Sequence, residues 1–363
     1  MNMKDFNNDI LENNNNGTIS NDSLWHELKA KISSGINCTT PVEIEDNYLS
    51  SSHLLAVVQS YKPRYDYGAW SYVVTELERL WPDIAKAFGN SMKIGDYNSV
   101  SKLFQELRRF MQLTKKPLRI EVAKWLIEES DKQNNDISVA ATLSALNLLA
   151  WISASCGIAQ NISLARDYLR ASASLYEANK DLVPMDIVAE LYENLVRADI
   201  RAHKLESAQH FLLQGEEKVH EMSSSKPKDK PRLKTRCLIP FNYNRGLIYY
   251  LRNEYLDAKG TFQFVLEQAE LIGWKRVEAA AMSWLATIAK QRHLYQEGQE
   301  LLTNIEVPDE QRRAYIDSVL AAIAAAQGNR AEACRLKHDA SILLKRHDVR
   351  YEDMMTLDLV IRD

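Results

Sequence analysis

Residues 241–273 read FNYNRGLIYYLRNEYLDAKGTFQFVLEQAELIG. The stretch has the pattern of two helices joined by a tight turn. Gly246 and Ala258 hold the small positions of this unit, and Tyr249 and Phe262 hold the bulky ones. Two helices come close only where one side lacks a large side chain, so a glycine and an alanine facing each other predict a close pair. The rest of the chain is then expected to supply neighbours to this unit.

The spacing of Gly246, Tyr249, Ala258 and Phe262 resembles the tetratricopeptide repeat (TPR), whose small first-helix residue is followed by an alanine twelve positions later. Further pairs at that spacing are Ser153/Ala165, Val196/Ala208, Ala286/Gly298 and Ala321/Ala333. Leu169, Leu212, Phe262 and Leu302 stand four residues beyond the second members, while the last register has Lys337 there with Leu336 beside it. Successive second members are 43, 50, 40 and 35 residues apart. These intervals exceed the roughly 34 residues usual for the family, so lengthened helices or turns are expected. The resemblance covers about 69–347 and implies an all-α fold, a right-handed superhelix of antiparallel helix pairs forming a TPR-like α-solenoid.

A second resemblance sits in YVVTELERLWPDIAKAFGNSMKIGDYNSVSKLFQELRRFMQLTKK and AATLSALNLLAWISASCGIAQNISLARDYLRASASLYE. These stretches are similar to the helical arm of STAND-type, NB-ARC-containing regulators. No GxxxxGK[ST] loop occurs, so the nucleotide-binding motor of that family is missing and its ATP chemistry does not carry over.

Composition agrees with helices. The 363 residues include only 12 Gly and 9 Pro, against 45% hydrophobic and 26% charged residues. A net charge of −4 gives no global attraction to nucleic acid. Cys38, Cys156, Cys237 and Cys334 form no CxxC pair, which argues against a zinc cluster or disulfide framework. The N-terminus lacks a basic region followed by an apolar core, and no apolar run approaches 18 residues without polar interruption. A cytoplasmic protein with no membrane contact is expected.

In chain order, residues 1–22 read as a disordered Asn-rich tail and 23–68 as N-terminal helices with a linker. Within the second segment, Ser23 caps one short helix, and another runs from Leu49 to Tyr61, ending before Lys62-Pro63. The repeat array then occupies 69–363, with a break near Trp81 at Pro82, turns at Gly95-Asp96 and Gly328-Asn329, and a last capping helix over 351–361. Residues 223–236 carry Lys226, Lys228, Lys230, Arg232, Lys234 and Arg236 and contain two prolines, which predicts a basic inter-repeat loop. With no aromatic residue interleaved for base stacking, a solvated linker is the favoured reading. Contact with nucleic acid, or with a DNA-binding partner, is the alternative and is not favoured.

No catalytic residue is assigned. The sequence has no HExxH and no GxSxG, and His203 and His210 lack a third nearby ligand, so neither a metal nor another cofactor is expected. The family resemblance implies instead that first helices line a concave peptide-binding groove. On that register Glu190, Glu193, Asn194, Arg197 and Arg201 project from one first helix; Tyr243, Asn244, Leu247, Tyr250 and Leu251 from the next; Ser283, Thr287, Lys290 and Gln291 from the third. Leu247 and Leu251 are expected to pack between repeats. The candidate groove residues are Glu193, Asn194, Arg197, Arg201, Tyr243, Asn244, Tyr250 and Lys290. Asparagine bonds a peptide backbone, arginine grips a carboxylate at two points, and tyrosine adds area with little rotamer entropy to lose. The expected role is a non-enzymatic scaffold or sensor for a protein or peptide ligand.

Overall fold

A computed structural model describes residues 51–67, 70–113, 117–133, 136–154, 159–221 and 230–346, except 304, 306, 308 and 309. The expected tail at 1–22, the helix capped by Ser23, and the capping helix at 351–361 lie outside the described residues.

Among the described residues the regular structure is entirely helical. Fifteen α-helices follow in order: α1 (Ser51–Tyr67), α2 (Trp70–Arg79), α3 (Trp81–Lys93), α4 (Tyr97–Leu113), α5 (Leu118–Glu129), α6 (Asp136–Ala154), α7 (Ala159–Ala178), α8 (Met185–Arg201), α9 (Leu205–His220), α10 (Lys230–Leu251), α11 (Tyr255–Ile272), α12 (Lys275–Gln291), α13 (Tyr295–Thr303), α14 (Glu310–Ala326) and α15 (Arg330–Arg346). The break expected near Trp81 falls at Leu80, which leaves Pro82 in the first turn of α3, where its missing N–H costs nothing. Helix α1 differs from expectation by running past Pro63 to Tyr67. A proline forfeits one helical bond, and buried Leu54 and Val58 anchor the turns ahead of it.

Five helix pairs close through one turn geometry. The pairs are α3/α4, α8/α9, α10/α11, α12/α13 and α14/α15, and their turns place Gly95, His203, Asn253, His293 and Gly328 in the left-handed region, with φ between 55° and 81°. In each turn the next residue's N–H reaches five residues back to a helix carbonyl, at 2.8–2.9 Å. This is the bond that closes a Schellman-type C-cap. That same next residue then opens the second helix: its carbonyl accepts from Val100, Ala208, Ala258, Gly298 or Ala333 at 2.9–3.2 Å. The twelve-residue spacing therefore decomposes into seven residues to the left-handed position and five into the following helix. Four of the expected registers coincide with these turns. Phe88/Val100 is a further one, which a search for small residues passes over.

The chain divides into two compact units. In the first, α4 packs against α3, α5 and α6, and α5 packs against α6. The core helix is α6, where every residue from Ala141 to Ala150 is buried. Its stretch Ile137–Ala154 is long and apolar enough to cross a membrane, and 67% of it is buried inside the protein. The stretch is interrupted by Ser138, Thr142, Ser144, Asn147 and Ser153, as expected of every apolar run in the chain. Several of its polar residues are matched internally rather than exposed. Asn147 Nδ2 donates to the carbonyl of Ile187 at 3.2 Å, Ser172 donates to Asn147 Oδ1 at 2.9 Å, and Asn194 Nδ2 donates to the Asn147 carbonyl at 3.1 Å.

An ion cluster ties α4 to α8 in the same unit. Arg108 bonds Asp186 and, through Nε, Glu190 at 3.1 Å, while Arg109 Nε lies 3.5 Å from Glu190. Burial alone would lower the Arg108 pKa, but the two carboxylates together outweigh it and raise the pKa, so the guanidinium stays charged. Arg108→Met should cost about 3–5 kcal/mol in urea unfolding, because two part-buried carboxylates would lose their nearest counter-charge and keep only the more distant Arg109. Adding Asp186→Asn and Glu190→Gln should recover part of that loss.

In the second unit, α10 packs against α9 and α11, α11 against α12, α12 against α13 and α14, and α14 against α13 and α15. Close approach is visible at Gly246, where a Cβ would lie 2.8 Å from Phe262 Cζ. That ring cannot retreat easily: it stacks on Trp284 at 5.6 Å and meets Tyr243 edge-on at 5.6 Å. Gly298 is as tight, since a Cβ there would meet the Ala286 carbonyl at 3.2 Å and Ile323 Cδ1 at 3.0 Å. Gly246→Ala should therefore lower the melting temperature: overpacking costs about 1–3 kcal/mol and outweighs the gain of up to about 1 kcal/mol in helix propensity. Gly260→Ala on α11, with open space around the added methyl, should raise it.

Candidate functional site

First helices carry the residues nominated for ligand contact, and packing sorts them. Leu247 is 8% exposed and Leu251 half-buried. Tyr250 is 5% exposed: its hydroxyl accepts from Gln291 Nε2 at 3.0 Å and its ring meets Trp284 edge-on at 5.0 Å. Ser283 and Thr287 are buried, and each hydroxyl bonds the carbonyl four residues back in its own helix. Asn244 is 2% exposed and its Nδ2 has no hydrogen-bond partner among the described residues. In the first unit Asn194 is 3% exposed and its amide is committed to Asn147, while Glu190 belongs to the Arg108 cluster. Asn194, Asn244 and Tyr250 are thus core residues of their helices rather than groove lining. Glu193, Arg197, Arg201, Tyr243 and Lys290 are half-buried.

Tyr243 is the hub of what remains. Its hydroxyl accepts from Trp284 Nε1 at 2.7 Å. Burial raises the Tyr243 pKa, although Arg312, the Trp284 bond and Arg197 each pull it down. The hydroxyl therefore stays neutral, in the positive field of two arginines that belong to α8 and α14. The guanidinium of Arg312 lies 5.1 Å from the ring centre of Tyr315, whose hydroxyl accepts from Gln311 at 3.4 Å; Gln311 in turn accepts from Arg276 at 2.8 Å. Sequence reasoning missed Arg276, Arg312 and Tyr315, since the register was followed only through the third first helix. Extending it to α14 would have reached Tyr315.

The basic run behaves differently from expectation. Helix α10 begins at Lys230, so residues 230–236 are helical rather than loop. Pro231 falls in the first turn, where no helical N–H bond is due. Lys226 and Lys228 lie outside the described residues, as do the side chains of Lys230 and Arg232. Lys234 Nζ donates to the His220 carbonyl at 3.4 Å, and Arg236 is 8% exposed with its guanidinium stacked over Trp274. These two cations are engaged in holding the start of α10.

Of the histidines weighed as ligands, His203 is the left-handed turn residue before α9, and His210 is half-buried on α9. Among the described residues no group of three or more His, Cys, Asp or Glu side chains is placed to hold a metal. Cys237 is a buried free thiol and Cys334 an exposed one.

No protein-family model matches the chain. No curated protein matches it either. Among solved structures it is similar to BtubC (BKLC) from P. vanneervenii, with a TM-score of 0.46 and 15% identity over 65% of this chain and 93% of that one.

Tyr243→Phe should cost about 1–3 kcal/mol, because it leaves the Trp284 N–H buried without its acceptor. The measurement is chemical unfolding followed by tryptophan fluorescence; a variant as stable as the parent would mean that the bond contributes nothing net.

Proposed function

We propose that this chain is a non-enzymatic, cytoplasmic TPR-like α-solenoid, a right-handed superhelix that captures a carboxylate-bearing segment of a partner protein. The observation that supports the reading is that Arg197 and Arg312, on first helices closed by equivalent turns, both exert a positive field on the Tyr243 hydroxyl. A carboxylate set against two guanidinium groups forms charge-assisted bonds, which are stronger and more directional than neutral ones. Half-buried Lys290 and Arg201 add positive charge along first helices of the same unit. Half-buried Tyr243 is held rigid by its packing on buried Phe262 and its bond to buried Trp284, so little side-chain entropy is lost when a ligand settles on it. Regulation or signalling is the proposed setting.

The test is charge reversal. Arg197→Glu combined with Arg312→Glu should cut recovery of a partner from native cell extract about tenfold or more, a loss of about 1.4 kcal/mol or more. Unchanged recovery with both reversals in place would remove this face from the account. Asn194 and Tyr250 are unsuitable for such a test, since their truncation disturbs the core.

A further inference from the structure

Helix α11 carries an outer face for which the fold has no use. Leu256, Phe264 and Leu271 are 70%, 46% and 72% exposed. At about 100° per residue they share one sector roughly 80° wide, running about 22 Å along the helix. Exposed Glu267 falls in the same sector, between Phe264 and Leu271, so this face presents large apolar side chains together with a carboxylate.

Gly260 lies in the middle of that sector. A glycine inside a helix costs about 1 kcal/mol relative to alanine. Gly246 returns that cost by admitting Phe262, whereas a Cβ on Gly260 would meet nothing within 4 Å. Internal packing therefore gives no reason for glycine at 260. Its lack of a side chain matters only to something approaching from outside, which could bring a backbone close at that point.

The charges around the stripe have one sign. Asp257, Glu267 and Glu270 are exposed on α11 and form no ion pair among the described residues. The one basic side chain of the helix, Lys259, is bonded to Glu297 at 2.8 Å. A second copy of the chain in a two-fold pairing would bring the same carboxylates together, and an anionic membrane surface would be repelled by them.

We propose that the outer face of α11 docks a basic amphipathic helix of a partner protein, crossing at Gly260 with its apolar side on Leu256, Phe264 and Leu271 and its lysines or arginines beside Asp257, Glu267 and Glu270. Helices meeting at a small residue interdigitate their four-residue ridges, which brings the backbones close and desolvates the flanking charges. This face is separate from the Arg197–Arg312 site and does not depend on it.

The experiment uses the full chain and a fluorescein-labelled helical peptide of about 18 residues, leucine on one face and lysine on its flanks. Its twin carries glutamate in place of lysine. Fluorescence anisotropy should show the lysine peptide binding at least about tenfold more tightly than the twin, with binding weakening as salt rises. Gly260→Gln should weaken it by about tenfold or more while raising the melting temperature, which separates blocked docking from a damaged fold. Phe264→Ser should weaken it similarly, and Arg197→Glu with Arg312→Glu should leave it intact. Equal binding of the two peptides, no binding of the lysine peptide, or full binding by both α11 variants would overturn the proposal. So would a dimer in analytical ultracentrifugation that Gly260→Gln dissolves, since the occupant would then be a second copy.

Discussion

Close contact between paired helices is the constraint on which the rest of the second unit depends. A residue with left-handed backbone reverses the chain, one long-reach hydrogen bond fixes the reversal, and five residues later the second helix is already against the first. At that distance a side chain has almost no room, as Gly246 beneath Phe262 and Gly298 beneath the Ala286 carbonyl demonstrate. The aromatic stack of Tyr243, Phe262 and Trp284 follows from this: the ring of Phe262 occupies the space that the missing Cβ leaves. Polar chemistry at the Tyr243 hydroxyl is set in turn by where that stack holds it.

The first unit is secured by different means. Its central helix α6 is buried on all sides from Ala141 to Ala150, and the buried amide of Asn147 there is satisfied through Ile187 and Ser172, while its carbonyl accepts from Asn194. The arginines of α4 meet the carboxylates of α8 under the same condition. Buried polar networks of this kind add little net stability over an apolar core, yet they penalise any arrangement that leaves one member unpaired. They serve to fix which residues of α4, α6 and α8 face each other.

Much of the helical content was legible because it is local. Apolar spacing located α3, α4, α14 and α15 to within a few residues, and the twelve-residue spacing located four of the five left-handed turns. The turn at Gly95 and the pair it closes were readable from apolar spacing, but not as a register of the twelve-residue repeat, because Phe88 and Val100 are large. Direction of facing was the weaker part. Asparagine at 194 and 244 has the right chemistry for a peptide backbone, but chemistry does not reveal whether a side chain points out of a bundle or into it. That depends on which helix lies opposite, here α6 for Asn194. Arg236 belongs to the same class: its charge suggested a surface, and the indole of Trp274, distant in sequence, gave it a partner inside. Pro231 argues against a helix by residue type alone, yet it sits in the first turn of α10, where no helical N–H bond is due.

The repeated turns also bear on how the chain reaches this structure. Each is made within about a dozen residues, so the loop entropy of forming a helix pair is small, and pairs can form early and separately before docking on their neighbours. Folding of the second unit is then expected to begin at any of several equivalent hairpins rather than at one nucleus. Because the twelve-residue step inside each pair is fixed by hydrogen bonds, variation in length is pushed into the joints between pairs, where successive registers differ by as much as 15 residues (50 against 35). Those joints are the places where the chain can lengthen without disturbing a single turn.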